Sequence, residues 1–323
     1  MSQARASRKP LIVAGLGARA HAAAVRALSE SHNIPVMVTY KAKGVVPDRD
    51  VRFAGVFTNG ALEQEVIGEA DVIVTVGLDR VELLPRPWRP RQPIVEIDRN
   101  IDAALGEIAS ELTYAEWDTE ALQRTIVSQR ERLRFRSERL TPDAVVRIAS
   151  AALPRARVTV DAGAHMFPAT LLWPIDEPCG MLISNGLSTM GFALPAAIGA
   201  ALLDRKRPVV ALVGDGGLAM SLGELATLAR EQLRVIVIVF NDRSLSLIDV
   251  KQRQRTFTRA GVELSDVDWV GVARGCGVSA CRADTAMDLE RALANARNES
   301  GPGLIDARID ASDYASIIRW IRG

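Results

Sequence analysis

The stretch Pro208-Val209-Val210-Ala211-Leu212-Val213 runs into Gly214-Asp215-Gly216-Gly217, and a helical pattern with Glu224 and Leu225 follows. A short apolar run that ends in glycines and turns into a helix fits a strand buried on both faces of a parallel sheet. Twenty-seven residues after Asp215, the next such run, Val235 to Phe240, ends in Asn241-Asp242. Both acidic residues therefore fall at strand carboxyl ends, where open α/β sheets bind ligands. Glycines there let backbone N–H groups approach an anion at a helix N-terminus, where the dipole favours negative charge. Asp215 and Asp242 can offer oxygen ligands to a hard cation that bridges to the anion, and Mg2+ prefers a few carboxylates plus phosphate oxygens. The pattern predicts a Mg2+–diphosphate site. Two turns with chance acidic residues would leave the spacing and the repeated strand–helix context unexplained.

Working outward, the same alternation extends in both directions. Thr141-Pro142-Asp143 opens a helix, with Thr141 as its cap and Pro142 at the first helical position. The stripe Val145, Ile148, Ala149 and Ala152 marks its buried face. Further strands are predicted at Val158 to Val160, Met181 to Ile183, Val278 to Cys281 and Gly303 to Asp306, with a helix over Ala286 to Ala296. Toward the start, strands are predicted at Leu11 to Ala14, Val36 to Val38, Asp71 to Val76 and Pro93 to Ile97. A helical stripe runs through Ala18, Ala22, Val25 and Leu28, and Leu62 to Gly68 is also helical. The fold class is α/β: two doubly wound domains, each a parallel sheet covered by helices on both faces. The domains are residues 1–118 and 141–323. Residues 119–140 read as a linker helix, where Arg130, Arg132, Arg134, Arg136 and Arg139 mix with Glu131 and Glu138 on a solvated face.

Composition narrows the function. The 323 residues suit two domains. Forty basic against thirty-nine acidic residues leave a net charge of +1, so no global field favours nucleic acid or anionic lipid. Cys179, Cys276 and Cys281 have no metal-ligand spacing and suit a reducing compartment. Met1 to Pro10 has no apolar core for a signal peptide, and no apolar run reaches the ~20 residues needed to span a bilayer. A soluble cytoplasmic protein is expected. Gly15-Leu16-Gly17-Ala18-Arg19-Ala20 sits where a dinucleotide fingerprint would. However, the next strand ends in Val38-Thr39-Tyr40-Lys41, with no acidic residue for a ribose, so a structural glycine turn is favoured over NAD binding.

Gly214-Asp215-Gly216 followed by Asn241-Asp242 resembles the thiamin-diphosphate motif of the acetolactate synthase and pyruvate decarboxylase group. Ser184-Asn185-Gly186-Leu187-Ser188-Thr189-Met190-Gly191-Phe192-Ala193-Leu194-Pro195-Ala196-Ala197 is similar to the stretch that supports the bent cofactor. Asp161-Ala162-Gly163-Ala164-His165 resembles the segment touching the diphosphate. Residues 10–100, with Lys41-Ala42-Lys43-Gly44-Val45-Val46-Pro47, resemble the central domain. The resemblance implies thiamin diphosphate and Mg2+ as cofactors. It implies that the side chains of Asp215 and Asp242 and the Ser244 carbonyl bind the metal, with Asn241 supporting the loop. Asp161, Gly163, His165, Gly214, Gly216, Gly217 and Leu245 would line the cofactor. His165 on its own also reads as a buried structural histidine. Met190 would wedge beneath thiazolium and pyrimidine, although on residue type alone it reads as core, and the Ser188 carbonyl would accept from the aminopyrimidine.

Several positions depart from that pattern. Asp242 stands where many relatives have Asn, which adds negative charge beside a diphosphate and predicts strict metal dependence. Gly217 replaces a frequent Ser. Lys251 replaces a Trp that shapes the substrate pocket of biosynthetic acetohydroxyacid synthases. The run Lys251-Gln252-Arg253-Gln254-Arg255 reads as a solvated helix face, with an anionic substrate or a CoA tail as the alternative. The central-domain pattern starts by residue 10, whereas the group begins with a pyrimidine-binding domain whose Glu protonates the aminopyrimidine. Glu63, Glu65 and Glu69 are in the central domain and do not qualify for that role. The expectation is the large subunit of a split enzyme acting on a small carbonyl compound. A small pyrimidine-binding chain would supply the Glu, in a heterotetramer. A cofactor-binding chain without catalysis and a nucleotide-binding oxidoreductase are the alternatives.

Overall fold

A computed structural model of the chain describes residues 7–184 and 186–323. It divides into two compact units. One holds the residues through Arg132 together with Pro174–Met181 and Arg319–Gly323; the other holds Leu133–Trp173 and Leu182–Ile318.

The first unit is built on β1 (Pro10–Ala14), β2 (Val36–Val38), β3 (Phe53–Val56), β4 (Val72–Val76) and β5 (Ile94–Ile97), in the order β3-β2-β1-β4-β5. All its pairings are parallel. β1, β2 and β4 are buried along their whole length, as the apolar runs require. Strand β3 is not foreseen by the apolar pattern. Gly55 within it has φ +93°, and a Cβ there would lie 3.3 Å from Ile126 Cδ1. That methyl belongs to helix Thr119–Glu131, which buries Leu122 and Ile126. Gln123 Nε2 of the same helix donates to the carbonyls of Val51 and Phe53. The helix predicted over Leu62 to Gly68 is shorter, Gln64–Ile67.

The Gly15-Leu16-Gly17 turn uses its glycines on backbone packing. A Cβ at Gly15 would lie 2.4 Å from Leu78 Cα, and one at Gly17 3.0 Å from Gly77 Cα. The Gly15 and Gly17 N–H groups donate to Val76 and Gly77 carbonyls. The Leu16 N–H donates to the buried Glu82 carboxylate, which also accepts from Thr39 Oγ1. The same unit buries an ion pair, Lys43 with Asp48, beside the Phe53 ring.

The second unit contains β6 (Arg157–Val160), β7 (Met181–Ile183), β8 (Val209–Gly214), β9 (Val235–Asn241), β10 (Ser279–Ala283) and β11 (Gly303–Arg308). Their order is β10-β11-β9-β8-β6-β7. The sheet is parallel and helix-covered, so both units are α/β. Thr141 does not cap helix Pro142–Ala152 with its side chain, contrary to the sequence expectation. Its hydroxyl donates instead to Asp143 Oδ1 at 2.7 Å, because the acid two residues on competes for it. Pro142 does occupy the first turn.

Candidate functional site

From β6 the chain proceeds to one edge of the second sheet and from β8 to the other, so the strand order reverses between them. That is the switch point at which open α/β sheets hold ligands. The loops leaving β6, β8 and β9 carry Asp161 to His165, Asp215 to Gly217 and Asp242 to Leu245. The register pairs Val160 with Leu212 and Gly214 with Phe240, so these loops emerge at one end of the sheet.

Asp161 is fully buried. Its Oδ2 accepts from the Gly191 N–H at 2.9 Å, and its Oδ1 accepts from Phe192 and Ala193 at 2.7 and 3.1 Å. Those amides open helix Ala193–Leu203, whose first-turn N–H groups lack partners within the helix. Burial nevertheless outweighs the three amides and holds the carboxyl above the ordinary range. Asp161 thus anchors the segment that begins at Gly186. In that segment Gly186, Ser188 and Gly191 all have positive φ, and Leu187 and Ser188 are exposed. Asn185, quoted above, lies outside the described residues.

His165 is boxed in by two glycines. A Cβ at Gly163 would lie 2.7 Å from its Cε1 and one at Gly214 3.3 Å from it. The ring stacks on Phe240, with centroids 5.1 Å apart at 24°. It donates to the Leu212 carbonyl, and burial pushes its pKa down to about 4, so it is neutral at pH 7. Its Nε2 is buried and has no partner among the described residues. A neutral imidazole that donates through one nitrogen presents a lone pair at the other.

Asp215 is the first residue of helix Asp215–Met220. Its two oxygens accept from the Gly216 N–H at 2.8 Å and the Arg243 N–H at 2.7 Å. The second bond ties the β8 loop to the β9 loop and needs Arg243 in the left-handed region, at φ 55°. Asp242 accepts from the Ser244 N–H at 3.1 Å and from the Ser246 hydroxyl. Burial, with the charge of Asp242 added, pushes Asp215 up to about 7. Asp242 is pushed up to about 6, chiefly by burial. Two neighbouring carboxylates that resist ionisation would be relieved by a cation. Around them Ser244 Oγ and Asn241 Oδ1 are buried without partners among the described residues. No group of three or more His, Cys, Asp or Glu side chains fit to hold a metal forms among the described residues. Any cation here would therefore take two carboxylates plus backbone or ligand oxygens.

Gly216 opens onto an apolar cradle. A Cβ on it would meet Leu245 Cδ2 at 2.6 Å, Leu264 Cδ1 at 3.3 Å and Met190 Cε at 3.4 Å. The structure thus gathers Met190, Gly216 and Leu245 in one cluster. Asp215 and Asp242 stand beside it, with His165 stacked on the strand end between. Asn241 faces away and donates to Asp306 Oδ1 at 2.8 Å. Leu264 and Ser246 were not singled out in the sequence. Ser246 could have been, four residues beyond Asp242 at the opening of a helix, whereas Leu264 carries no local signal. The orphaned atoms, the acidic pair and the open glycine cradle fit a cation-bridged anion with an apolar ring system attached.

Comparison with known proteins agrees. Residues 161–307 match the family model "Thiamine pyrophosphate enzyme, C-terminal TPP binding domain", and residues 4–111 match "Thiamine pyrophosphate enzyme, central domain". The chain is 28% identical to acetolactate synthase of Bacillus subtilis (strain 168), over 98% of this chain and 61% of that protein. It is 29% identical to the acetolactate synthase isozyme 1 large subunit of Escherichia coli (strain K12), over 95% and 60%. With pyruvate oxidase of Lactiplantibacillus plantarum it shares 29% identity, over 94% and 55%. The chain therefore spans about 60% of the length of the first two of these relatives. No described helix is long and apolar enough to cross a membrane. The matched domains imply thiamin diphosphate with Mg2+, the usual pairing in this family. The chain belongs to the thiamine pyrophosphate enzyme family, whose central and cofactor-binding domains it holds, and it is similar to acetolactate synthases over nearly its whole length.

Proposed function

We propose that this chain is the diphosphate-binding subunit of a split thiamin-diphosphate enzyme that cleaves or forms a C–C bond next to a carbonyl. The substrate would be a 2-oxo acid, an acyloin or a 2-hydroxyacyl compound. The observation that carries the reading is the acidic pair Asp215 and Asp242, the first buried and the second half-buried, beside the glycine cradle, with His165 Nε2 unpartnered among the described residues.

When bound, thiamin diphosphate supplies the carbon nucleophile and electron sink for such reactions. The chain's own residues bind and orient it. Asp215, Asp242 and the Ser244 carbonyl hold Mg2+. Gly214 and Gly217 leave room for His165 and Asp161, Gly216 keeps the cradle open, and His165 would meet the diphosphate through Nε2 as a donor, the anion's charge favouring the protonated ring. Asp161 and Gly163 act one step removed, fixing the 191–193 amides and making room for the imidazole. Met190 and Leu245 support the ring system, and the Ser188 carbonyl accepts from the aminopyrimidine. A separate small chain with the pyrimidine-binding domain brings the activating Glu, and two copies of each chain assemble.

Calorimetry with thiamin diphosphate plus Mg2+, against NAD, tests the cofactor. The expected outcome is saturable binding of the first and none of the second. Mixing the purified chain with a small α/β protein that carries the pyrimidine domain tests the division of labour. Activity should appear only in the mixture. Equal activity of this chain alone would overturn the split arrangement.

A further inference from the structure

Away from the proposed ligand contacts, the second sheet buries one more carboxylate. Asp306, in β11, has no exposed surface. An isolated ionised carboxylate at such a depth is costly unless charge and hydrogen bonds meet it. The register supplies both. Asp306 pairs with Arg282 of β10 and Val239 of β9, and Arg308 pairs with Asn241. Side chains alternate along a strand, so Arg282, Asp306, Arg308 and Asn241 share one face. Arg282 Nε and Arg308 Nε each lie 3.3 Å from Asp306 Oδ2, and Asn241 Nδ2 donates to Oδ1 at 2.8 Å.

Asn241 immediately precedes Asp242. It is buried, and its Oδ1 has no partner among the described residues. A carboxylate accepts and cannot donate, so Asp306 decides which end of the amide faces it. The second arm runs through Arg308, whose Nη2 pairs with Asp266 at 2.6 Å. Asp266 closes a segment stitched to the Asp242–Leu245 turn: the Leu264 N–H donates to the Arg243 carbonyl at 2.9 Å, and the Leu245 N–H to the Val262 carbonyl at 2.8 Å. Asp306 therefore grips the turn from beneath through Asn241 and from the side through Arg308.

We infer that Asp306 is a positioning residue for the cation clamp of Asp215 and Asp242, setting the Asp242–Leu245 turn through Asn241 and Arg308 without touching the cation. The inference rests on the reading of that pair as the Mg2+ clamp. Groups that orient metal ligands typically change metal affinity by about 10–100-fold when altered.

The test titrates the full chain with Mg2+ at fixed thiamin diphosphate, reading binding by calorimetry. Asp306→Asn keeps the shape and an oxygen for Asn241 but removes the charge that the two arginines meet. Its half-saturating Mg2+ concentration should rise about 10-fold, while the melting temperature of the ligand-free protein falls by only a few degrees. Asn241→Ser should raise it similarly, and the double variant should add little, because coupled residues are not additive. Should Asp306→Asn fail to fold, Arg308→Gln carries the same comparison through the Asp266 arm. Unchanged half-saturation in a folded variant, or full additivity, overturns the inference alone. Failure of the unaltered chain to bind Mg2+ and thiamin diphosphate overturns the reading of the clamp and the inference with it.

Discussion

A Cβ on Gly217 would lie 1.9 Å from Asp161 Oδ2. The carboxylate that gathers the amides of residues 191–193 thus fills the space that a side chain at 217 would need. The glycine is a steric consequence of where Asp161 sits, and the two positions are predicted to vary together.

Gly217→Ala should therefore destabilise the chain by about 2–3 kcal/mol, the range of overpacking in a closed site. The same change in an Asp161→Ser background should cost much less, because the shorter side chain vacates the space. A double-mutant cycle by urea denaturation measures the coupling. Equal costs in both backgrounds would show that the clash relaxes elsewhere.

Asp242 carries a pH signature. Its folded pKa of about 6 lies above the ordinary carboxylate value. Folding therefore favours its protonated form, and that contribution is present below about pH 4. It is lost as pH rises through about 6. Asp242→Asn, which cannot ionise, should stabilise the metal-free chain at pH 7.5 by about 1–2 kcal/mol and give no gain at pH 4. Added Mg2+ should shrink or reverse that gap at pH 7.5, because the charged aspartate gains more from a cation than the neutral asparagine oxygen does. Thermal melts of both proteins at the two pH values, with and without Mg2+, decide the matter.

His165→Phe separates packing from polarity. The ring can still stack where His165 meets Phe240, while Nε2 and the bond to Leu212 are gone. Stability should change by no more than about 1.5 kcal/mol, the scale of one hydrogen bond. Affinity for thiamin diphosphate should fall at least about tenfold, or 1.4 kcal/mol. Unaltered affinity in a calorimetric titration would leave the imidazole with a packing role only.

Lys43 and Asp48 form an ion pair with both partners almost wholly buried. Burial lowers the lysine's pKa and raises the aspartate's, each opposed by its partner. Lys43→Met alone should cost about 3–5 kcal/mol by stranding the carboxylate. Lys43→Met with Asp48→Leu should recover most of that loss. Chemical denaturation of the single and double variants checks it.

The sequence carries strand positions well where an apolar run is bounded by glycine or proline, as at Pro208 to Gly214. It hides β3, where Phe53-Ala54-Gly55-Val56 is short, interrupted by a glycine, and packed against helix Thr119–Glu131. The acidic residues of the site are legible because they follow strands directly. Their constraints are not, since the partners of Asp161 lie thirty residues on and those of Asn241 on another strand. Thr141 shows the same limit at close range: a capping residue is readable, but the competing acid at 143 decides what its hydroxyl does. Nothing local in Lys43-Gly44-Val45-Val46-Pro47-Asp48 signals that its two charges are interior, and only the fold reveals it.

The return of residues 174–181 and 319–323 to the first unit sets a timetable for synthesis. Gly44, at φ +87°, packs so closely on Glu177 that a Cβ there would lie 1.9 Å from its carbonyl oxygen. The Ala61 N–H donates to the Ile321 carbonyl. Neither contact can form until those later residues have left the ribosome, so the first unit, though its strands are made first, cannot be completed first. Translation at about 5–20 residues per second leaves it waiting for many seconds with Gly44 and Ala61 uncovered. A nascent chain stalled before residue 174 should therefore be a sharper target for proteases and chaperones than the position of its strands would suggest.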